Sequence, residues 1–210
     1  MSQPRTFRRV LVLGGARSGK STVAEQLASD LGEPVLYVAT AVALDDEMAA
    51  RVRQHQVDRP STWQTIEEPR RVADRVTPVA AEVHTVLLED LTILLSNLML
   101  GEQHSSPHHD LPALDADDLA LAAHAAEQEL TDQLECLVRL PCHLVMVSNE
   151  VGMGLVPPFP LGRVFRDALG RVNQHAAARS DEVYLVVAGI ATRLKPAAWR
   201  LPRVDNTSQD

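Results

Sequence analysis

The sequence predicts an α/β fold with a mostly parallel central sheet and helices on both faces, and three observations carry that prediction. Apolar runs at Val10–Leu13, Pro34–Ala39, Thr85–Leu88 and Cys142–Val147 are separated by longer segments of helical character. The first run feeds a glycine-rich turn that opens directly into a helical segment, Thr22 to Leu31. At 210 residues the chain suits one well-buried domain and is short for two.

The turn is Gly14-Gly15-Ala16-Arg17-Ser18-Gly19-Lys20-Ser21. Its G-x-x-x-x-G-K-[ST] spacing between strand and helix is that of a P-loop. Glycines let backbone N–H groups converge on phosphate oxygens, and the helix N-terminus adds its positive dipole end. Lys20 would reach the β- and γ-phosphates, and the Ser21 hydroxyl would take one Mg²⁺ position. Only Lys20 and Lys195 are lysines among the 20 basic residues. One of the two stands where a compact ammonium is needed rather than a planar guanidinium. A chance glycine turn would lack the strand before and the helix after. The segment binds nucleotide phosphates.

Composition bounds the partners. Apolar residues make up 45% and aromatics 3%, so Leu, Val and Ala must build the core. The net charge of −8 argues against a nucleic-acid groove, which needs a basic stripe. No run approaches the ~18 apolar residues of a membrane span. Cys136 and Cys142 lack a C-x-x-C spacing and read as reduced, buried small hydrophobes of a cytoplasmic protein. The single domain is expected to span 1–210, with 1–7 and 196–210 as loose tails.

The remaining elements follow in order. Pro34–Ala39 reads as a second buried strand, ending in Thr40-Ala41 at the edge where nucleotide sites form in open α/β sheets. Asp45-Asp46 begin a helix, acidic at its N-terminus, that runs to about Val57 and stops at Pro60. Within it Glu47, Arg51 and His55 fall on one face at four-residue spacing. Such a face is either a solvated charge stripe or an imidazole poised as nucleophile or proton relay. Trp63–Ile66 suggests a short strand, and Arg70 to about Ala81 a weaker amphipathic helix.

Thr85–Asp90 is a strand closed by acids, the form of a Walker-B strand whose carboxylate holds Mg²⁺. Glu89 is the acid of choice. Leu91–Leu100 reads as a buried helix, and residues 101–112 as a surface loop. That loop carries His104, His108 and His109 without the Cys or carboxylates that would complete a metal site. Leu114–Leu140 reads as a long helix ended by Pro141, and Leu161–Arg179 as another. Between them lies a strand, Cys142–Val147, and a glycine- and proline-punctuated loop from Ser148 to Pro158. Two strands, Glu182–Val187 and Ile190–Leu194, close the fold.

Taken jointly, these residues resemble the bifunctional adenosylcobinamide kinase/adenosylcobinamide-phosphate guanylyltransferase family of cobalamin biosynthesis. The resemblance covers roughly residues 8–195. It rests on the glycine loop, Leu36-Tyr37-Val38-Ala39-Thr40, Asp45-Asp46-Glu47-Met48, and Arg51, His55 and Arg59-Pro60. It continues with Trp63, Thr65 and Glu67, then Leu88-Glu89, Ser148-Asn149-Glu150-Val151-Gly152, Phe165-Arg166-Asp167 and Gly170, Asn173 and Gln174. Asp90, where the family often has Cys, and Pro158-Phe159-Pro160, in place of a more polar stretch, depart from the pattern.

The resemblance implies a RecA-like P-loop fold, a homotrimer, and a two-step enzyme using ATP or GTP with Mg²⁺. In the first step the aminopropanol hydroxyl of adenosylcobinamide is phosphorylated. In the second, GTP gives up GMP to that phosphate through a guanylylated histidine, and His55 holds the matching position. His84 and His143 are the next histidines to consider. Residues matching the family's nucleotide contacts are Gly14 to Ser21, Ala39, Thr40, Ala41, Gln56, Val57, Asp58, Arg59, Glu67 and Glu89. Ser21 and Glu89 match its metal site. Two other readings of the loop are a P-loop kinase of another small metabolite and a GTP-dependent regulatory protein. Against the regulator, no N-K-x-D guanine-reading motif is present.

Overall fold

The computed structural model describes residues 7–41, 60–101 and 116–196. Seven strands form one sheet: β1 (Arg9–Gly14), β2 (Val35–Ala39), β3 (Gln64–Glu67), β4 (Thr85–Glu89), β5 (His143–Asn149), β6 (Glu182–Val187) and β7 (Ile190–Lys195). The spatial order is β3-β2-β4-β5-β1-β6-β7, so β2 and β4, β5 and β1, and β1 and β6 are neighbours that are not consecutive in the chain. Every neighbouring pair is parallel except β6 and β7, which form an antiparallel hairpin. Parallel strands need covered faces. Helices supply the cover: α1 (Lys20–Leu31), α2 (Val72–Val76), α3 (Leu91–Leu100), α4 (Ala116–Leu137) and α5 (Pro160–Arg179).

Side-chain alternation sorts the strands between two cores. Leu11, Leu36, Val38, Leu88, Leu144 and Met146 face α2 to α5. Val10, Val12, Val35, Leu87, Val145 and Val147 face α1, through Ala24 and Ala28. Successive strand residues point to opposite faces, so one apolar run serves both layers.

Three expectations need correction. The helix read over 70–81 is only Val72–Val76, followed by a 3₁₀ turn at Thr77–Val79. Pro78 brings no N–H to continue an α-helical ladder. Cys142 is buried but Cys136 is exposed. On α4 the inward positions go to Leu130, Leu134 and Leu137, and helical spacing turns Cys136 outward. Asp90 belongs to no strand; it caps α3. The expected helix at Asp45–Val57, including the Glu47, Arg51 and His55 face, lies outside the described residues, as do His104, His108 and His109.

At the amino end of the sheet a single side chain closes the turn between α4 and β5. Arg9 donates from Nε to Val138 O (2.7 Å), from Nη1 to Cys142 O (2.6 Å) and from Nη2 to Leu140 O (2.7 Å). Burial lowers its pKa from the usual arginine value, with the charges of Cys142 and Asp181 opposing that shift. His84 and His143 meet at this same end, with ring centroids 5.1 Å apart.

Candidate nucleotide site

The carboxyl ends of β1, β2, β3, β4 and β5 fall in register at one edge. Gly14 pairs with Asn149, and Ala39 pairs with both Glu89 and Glu67. The glycine loop turns off β1 at this edge. A Cβ on Gly14 would stand 2.7 Å from Val186 O, so no larger residue fits that corner. Gly19 has φ +90°, a left-handed conformation that favours glycine. It is also the N-cap of α1, and no side chain caps that helix. Lys20 N donates to Ser18 Oγ (3.3 Å), and the first-turn N–H groups after it have no capping side chain; they are open to a ligand, and the dipole favours an anion there. Gly189, at the turn of the β6–β7 hairpin, donates to Ser18 O (2.8 Å) and braces the loop from outside.

Lys20 and Ser21 open α1. The Ser21 hydroxyl donates to Glu89 Oε1 across β5, which separates the two strands. The Tyr37 hydroxyl donates to Glu89 Oε2 at 3.0 Å, so both carboxylate oxygens are aimed. Tyr37 is almost wholly buried among the α1-facing strands. A phenol in that setting needs a polar partner, and Glu89 is it.

The backbone carrying Glu89 is held as firmly. Thr40 Oγ1 accepts from Asp90 N (2.8 Å), and the N–H of the fully buried Thr40 donates to Glu89 O (2.9 Å). Asn97 Nδ2 donates to Thr40 O (2.9 Å) and Pro69 O (3.0 Å), tying the ends of β2 and β3 to α3. Asp90 faces away from this chemistry: its Oδ1 accepts from Ile93 N (2.7 Å) as the cap of α3. Burial raises the Asp90 pKa, against the Ile93 N–H, which lowers it; the charge of Glu89 raises it further and that of Lys20 lowers it. Of the two adjacent acids, Glu89 pairs with Ser21 and Tyr37, and Asp90 caps the helix.

The loop after β5 is pinned at its start. Asn149 N donates to Thr92 Oγ1 (2.8 Å), and Asn149 O accepts from Asn173 Nδ2 (3.0 Å). Glu150 N reaches Gly14 O (3.1 Å), which joins this loop to the end of the P-loop strand.

Among the expected site residues, then, Gly14 to Ser21, Ala39, Thr40, Ala41 and Glu89 share the carboxyl edge. Glu67 ends the outermost strand, four strand positions from β1, roughly 19 Å by strand spacing. Gln56, Val57, Asp58, Arg59 and His55 lie outside the described residues. His84 and His143 lie at the opposite end of the sheet, with His143 the first residue of β5 and about 20 Å from Asn149 by strand rise. That end has no part in the phosphate site. Tyr37, Asn97 and Thr92 were not expected there. A tyrosine inside a buried parallel strand was the available signal for Tyr37; Asn97 and Thr92 sit in a helix read only as apolar.

Ser21 and Glu89 offer hard oxygen donors, which suit Mg²⁺. Among the described residues no group of three or more His, Cys, Asp or Glu could hold a metal by itself. Mg²⁺ commonly binds through one or two carboxylates and the substrate's phosphates, so the donor set fits.

Comparison with known proteins decides the family. The sequence profile described as cobinamide kinase / cobinamide phosphate guanyltransferase matches residues 10–194, a stretch containing nearly all of the sheet. The chain belongs to this family. It is 43% identical over 192 residues to the bifunctional adenosylcobalamin biosynthesis protein CobU of Salmonella typhimurium, covering 89% of this chain and 99% of the relative. It is 41% identical to the CobU of Escherichia coli, with the same coverage. It is 40% identical to the bifunctional adenosylcobalamin biosynthesis protein CobP of Pseudomonas aeruginosa, covering 89% of this chain and 97% of that protein. A member of a kinase and guanyltransferase family must handle a nucleotide's terminal and α-phosphates. The braced glycine loop and the aimed Glu89 are the parts such handling requires.

Proposed function

We propose that this chain catalyses two consecutive reactions in cobalamin biosynthesis. It phosphorylates the aminopropanol hydroxyl of adenosylcobinamide with a nucleoside triphosphate. It then transfers GMP from GTP to that phosphate, forming adenosylcobinamide-GDP and releasing pyrophosphate. The observation that carries this reading is the uncapped N-terminus of α1 beside the Ser21–Glu89 pair, in a chain of this family.

In the first reaction the loop amides and Lys20 hold the β- and γ-phosphates while the substrate hydroxyl attacks the terminal phosphorus. Ser21 and Glu89 would hold Mg²⁺, whose positive charge would offset the charge developing on the phosphate oxygens. Tyr37 and Thr40 keep Glu89 oriented for that role. In the second reaction His55 is the nucleophile. A neutral imidazole nitrogen bonds to the α-phosphorus as its bond to the pyrophosphate oxygen breaks. The phosphate oxygen of the substrate then displaces the histidine, which covalent catalysis makes two easier steps of one. Ala39 to Ala41, Gln56 to Arg59 and Glu67 contact the nucleotide in that step. The enzyme works in the cytoplasm as a homotrimer. No described helix is long and apolar enough to cross a membrane.

The test is incubation with GTP labelled at the α-phosphate. An acid-labile, alkali-stable label on the protein, chased onto phosphorylated cobinamide, is the expected result. A kinase of another metabolite or a GTP-dependent regulator would leave the protein unlabelled.

A further inference from the structure

The loop leaving β5 carries an apolar surface that phosphate chemistry does not use. Met153 is 80% exposed, Leu155 96%, Val156 64% and Phe159 73%. Single exposed hydrophobics are ordinary, but four large ones within seven residues form a patch. Beside them lies a cleft of about 510 Å³, lined by Met99, Leu100, Pro157, Phe159, Leu161 and Phe165. Its volume falls in the range of small-molecule sites, and among the described residues that line it Ser96 has the only polar side chain.

The backbone under this patch is braced at both ends. Glu150 Oε1 accepts from Gly152 N (2.5 Å) and Met153 N (3.1 Å). Arg163 Nη1 donates to Pro157 O (3.1 Å) and Pro158 O (2.7 Å). The side chains are thus presented outward by a held loop. The patch is also continuous with the phosphate site. Its loop starts where Glu150 N bonds Gly14 O, at the end of the P-loop strand. From the other side, α3 begins directly after Glu89 and Asp90 and reaches the cleft at Ser96 to Leu100. At the helical rise that is roughly 8–14 Å along α3.

We propose that this cleft and the 153–159 loop dock the corrin macrocycle of the cobinamide substrate, with its hydroxyl-bearing arm reaching along α3 to the phosphate site. The assignment rests on the function proposed above. A corrin is a broad, methyl-edged ring whose reacting hydroxyl hangs on a side arm. Its recognition therefore calls for an apolar surface set back from the reacting atoms. The cleft supplies that surface at arm's length, and the nucleotide needs none of it.

The experiment measures cobinamide binding to the full-length protein by equilibrium dialysis, read from the corrin's visible absorption. The variants are Leu155→Ser, Phe159→Ser and Phe159→Leu. Phe159 is the N-cap of α5, where serine is a favoured residue, so Phe159→Ser leaves the helix sound. The dissociation constant for cobinamide should rise about tenfold or more in the two serine variants, as buried apolar contact is lost, and recover largely in Phe159→Leu. Labelling by α-labelled GTP without corrinoid should stay at the wild-type level, because only the nucleotide site is needed. Unchanged cobinamide affinity would overturn the assignment. So would a loss of affinity accompanied by a changed sedimentation coefficient, which would make the patch a contact between copies of the chain. Wild-type protein that labels with GTP but binds no cobinamide would instead refute the proposed substrate itself.

Discussion

Arg9 and Lys20 stand at opposite ends of the P-loop unit and carry the same charge in opposite states of satisfaction. At the amino end, the Arg9 guanidinium is spent on three backbone carbonyls of one turn. At the carboxyl end, the half-buried Lys20 ammonium makes no hydrogen bond or ion pair with any described residue. The same contrast repeats in the backbone. Three carbonyls of the α4–β5 turn are paired with Arg9, whereas beyond the bond from Lys20 N to Ser18 Oγ the first turn of α1 has no side-chain cap. A polar group whose partners all belong to the fold stabilises the fold. One that the described residues leave without a hydrogen bond is open to a ligand. The difference separates the end that keeps the sheet together from the end that meets phosphate, in line with the general siting of ligands beyond the carboxyl ends of parallel strands.

Substitutions at the two ends should therefore fail in different ways. The largest effect is expected for Lys20→Ala. Both phosphoryl transfer and self-guanylylation should fall on the order of 10²–10³-fold, with thermal unfolding unchanged, because charge on the phosphate oxygens goes uncompensated. Steady-state kinetics beside a melting curve would show it. Full kinase activity in that variant would remove the loop from the reaction.

Glu89→Gln comes next. The amide keeps the shape but loses the charge, so turnover should drop about 10²-fold and half-saturating Mg²⁺ should rise. A Mg²⁺ titration of nucleotide binding gives the second readout without turnover.

Arg9→Met reverses the pattern. Three carbonyls lose their donor, and the cost should be about 2–4 kcal/mol of stability, with kcat per folded molecule unchanged. Urea unfolding together with kcat measures both.

The smallest effect is expected for Asp90→Asn. Asparagine caps a helix as well as aspartate, so stability at neutral pH should stay within about 0.5–1 kcal/mol and activity should persist. The pH dependence carries the sign. Burial raises the folded-state pKa of Asp90, so the folded protein holds this proton more tightly than the unfolded chain does. Stability is lost as pH rises from the ordinary aspartate value, about 3.9, through the raised one. Unfolding at a series of pH values should show Asp90→Asn gaining on the wild type across that window. A variant that loses ground there would mean the charge itself caps the helix.

Much of this was legible in the chain. The P-loop spacing, the strand before it and the helix after it are local features, and all three lie where the sequence puts them. The choice of Glu89 over Asp90 was written only as a preference, because both acids end the same apolar run. Three-dimensional pairing supports that preference: Ser21 and Tyr37 reach Glu89, while Ile93 N claims Asp90. Tyr37, Thr92 and Asn97 act through residues about 28 to 57 positions away or across strands, and no local spacing encodes such partners. Cys136 misled because its type favours burial, while its place on α4 turns it outward. The short α2 misled because amphipathic spacing says little about where a proline ends a helix.

The central claim is that one phosphate site runs two chemistries that separate at a single side chain. In the mechanism proposed above, His55 acts only where a phosphorus–nitrogen bond forms, and phosphorylation of a hydroxyl forms none. The direct measurement is a paired assay of His55→Ala: label retained on the protein from α-labelled GTP, and phosphorylated cobinamide formed from ATP or GTP. Alanine is the best helix former and suits the helix the sequence predicts there, so the substitution is a mild one. The account predicts that the label disappears while phosphorylated cobinamide still accumulates at near the wild-type rate. Label persisting on His55→Ala would contradict it and place the nucleophile elsewhere.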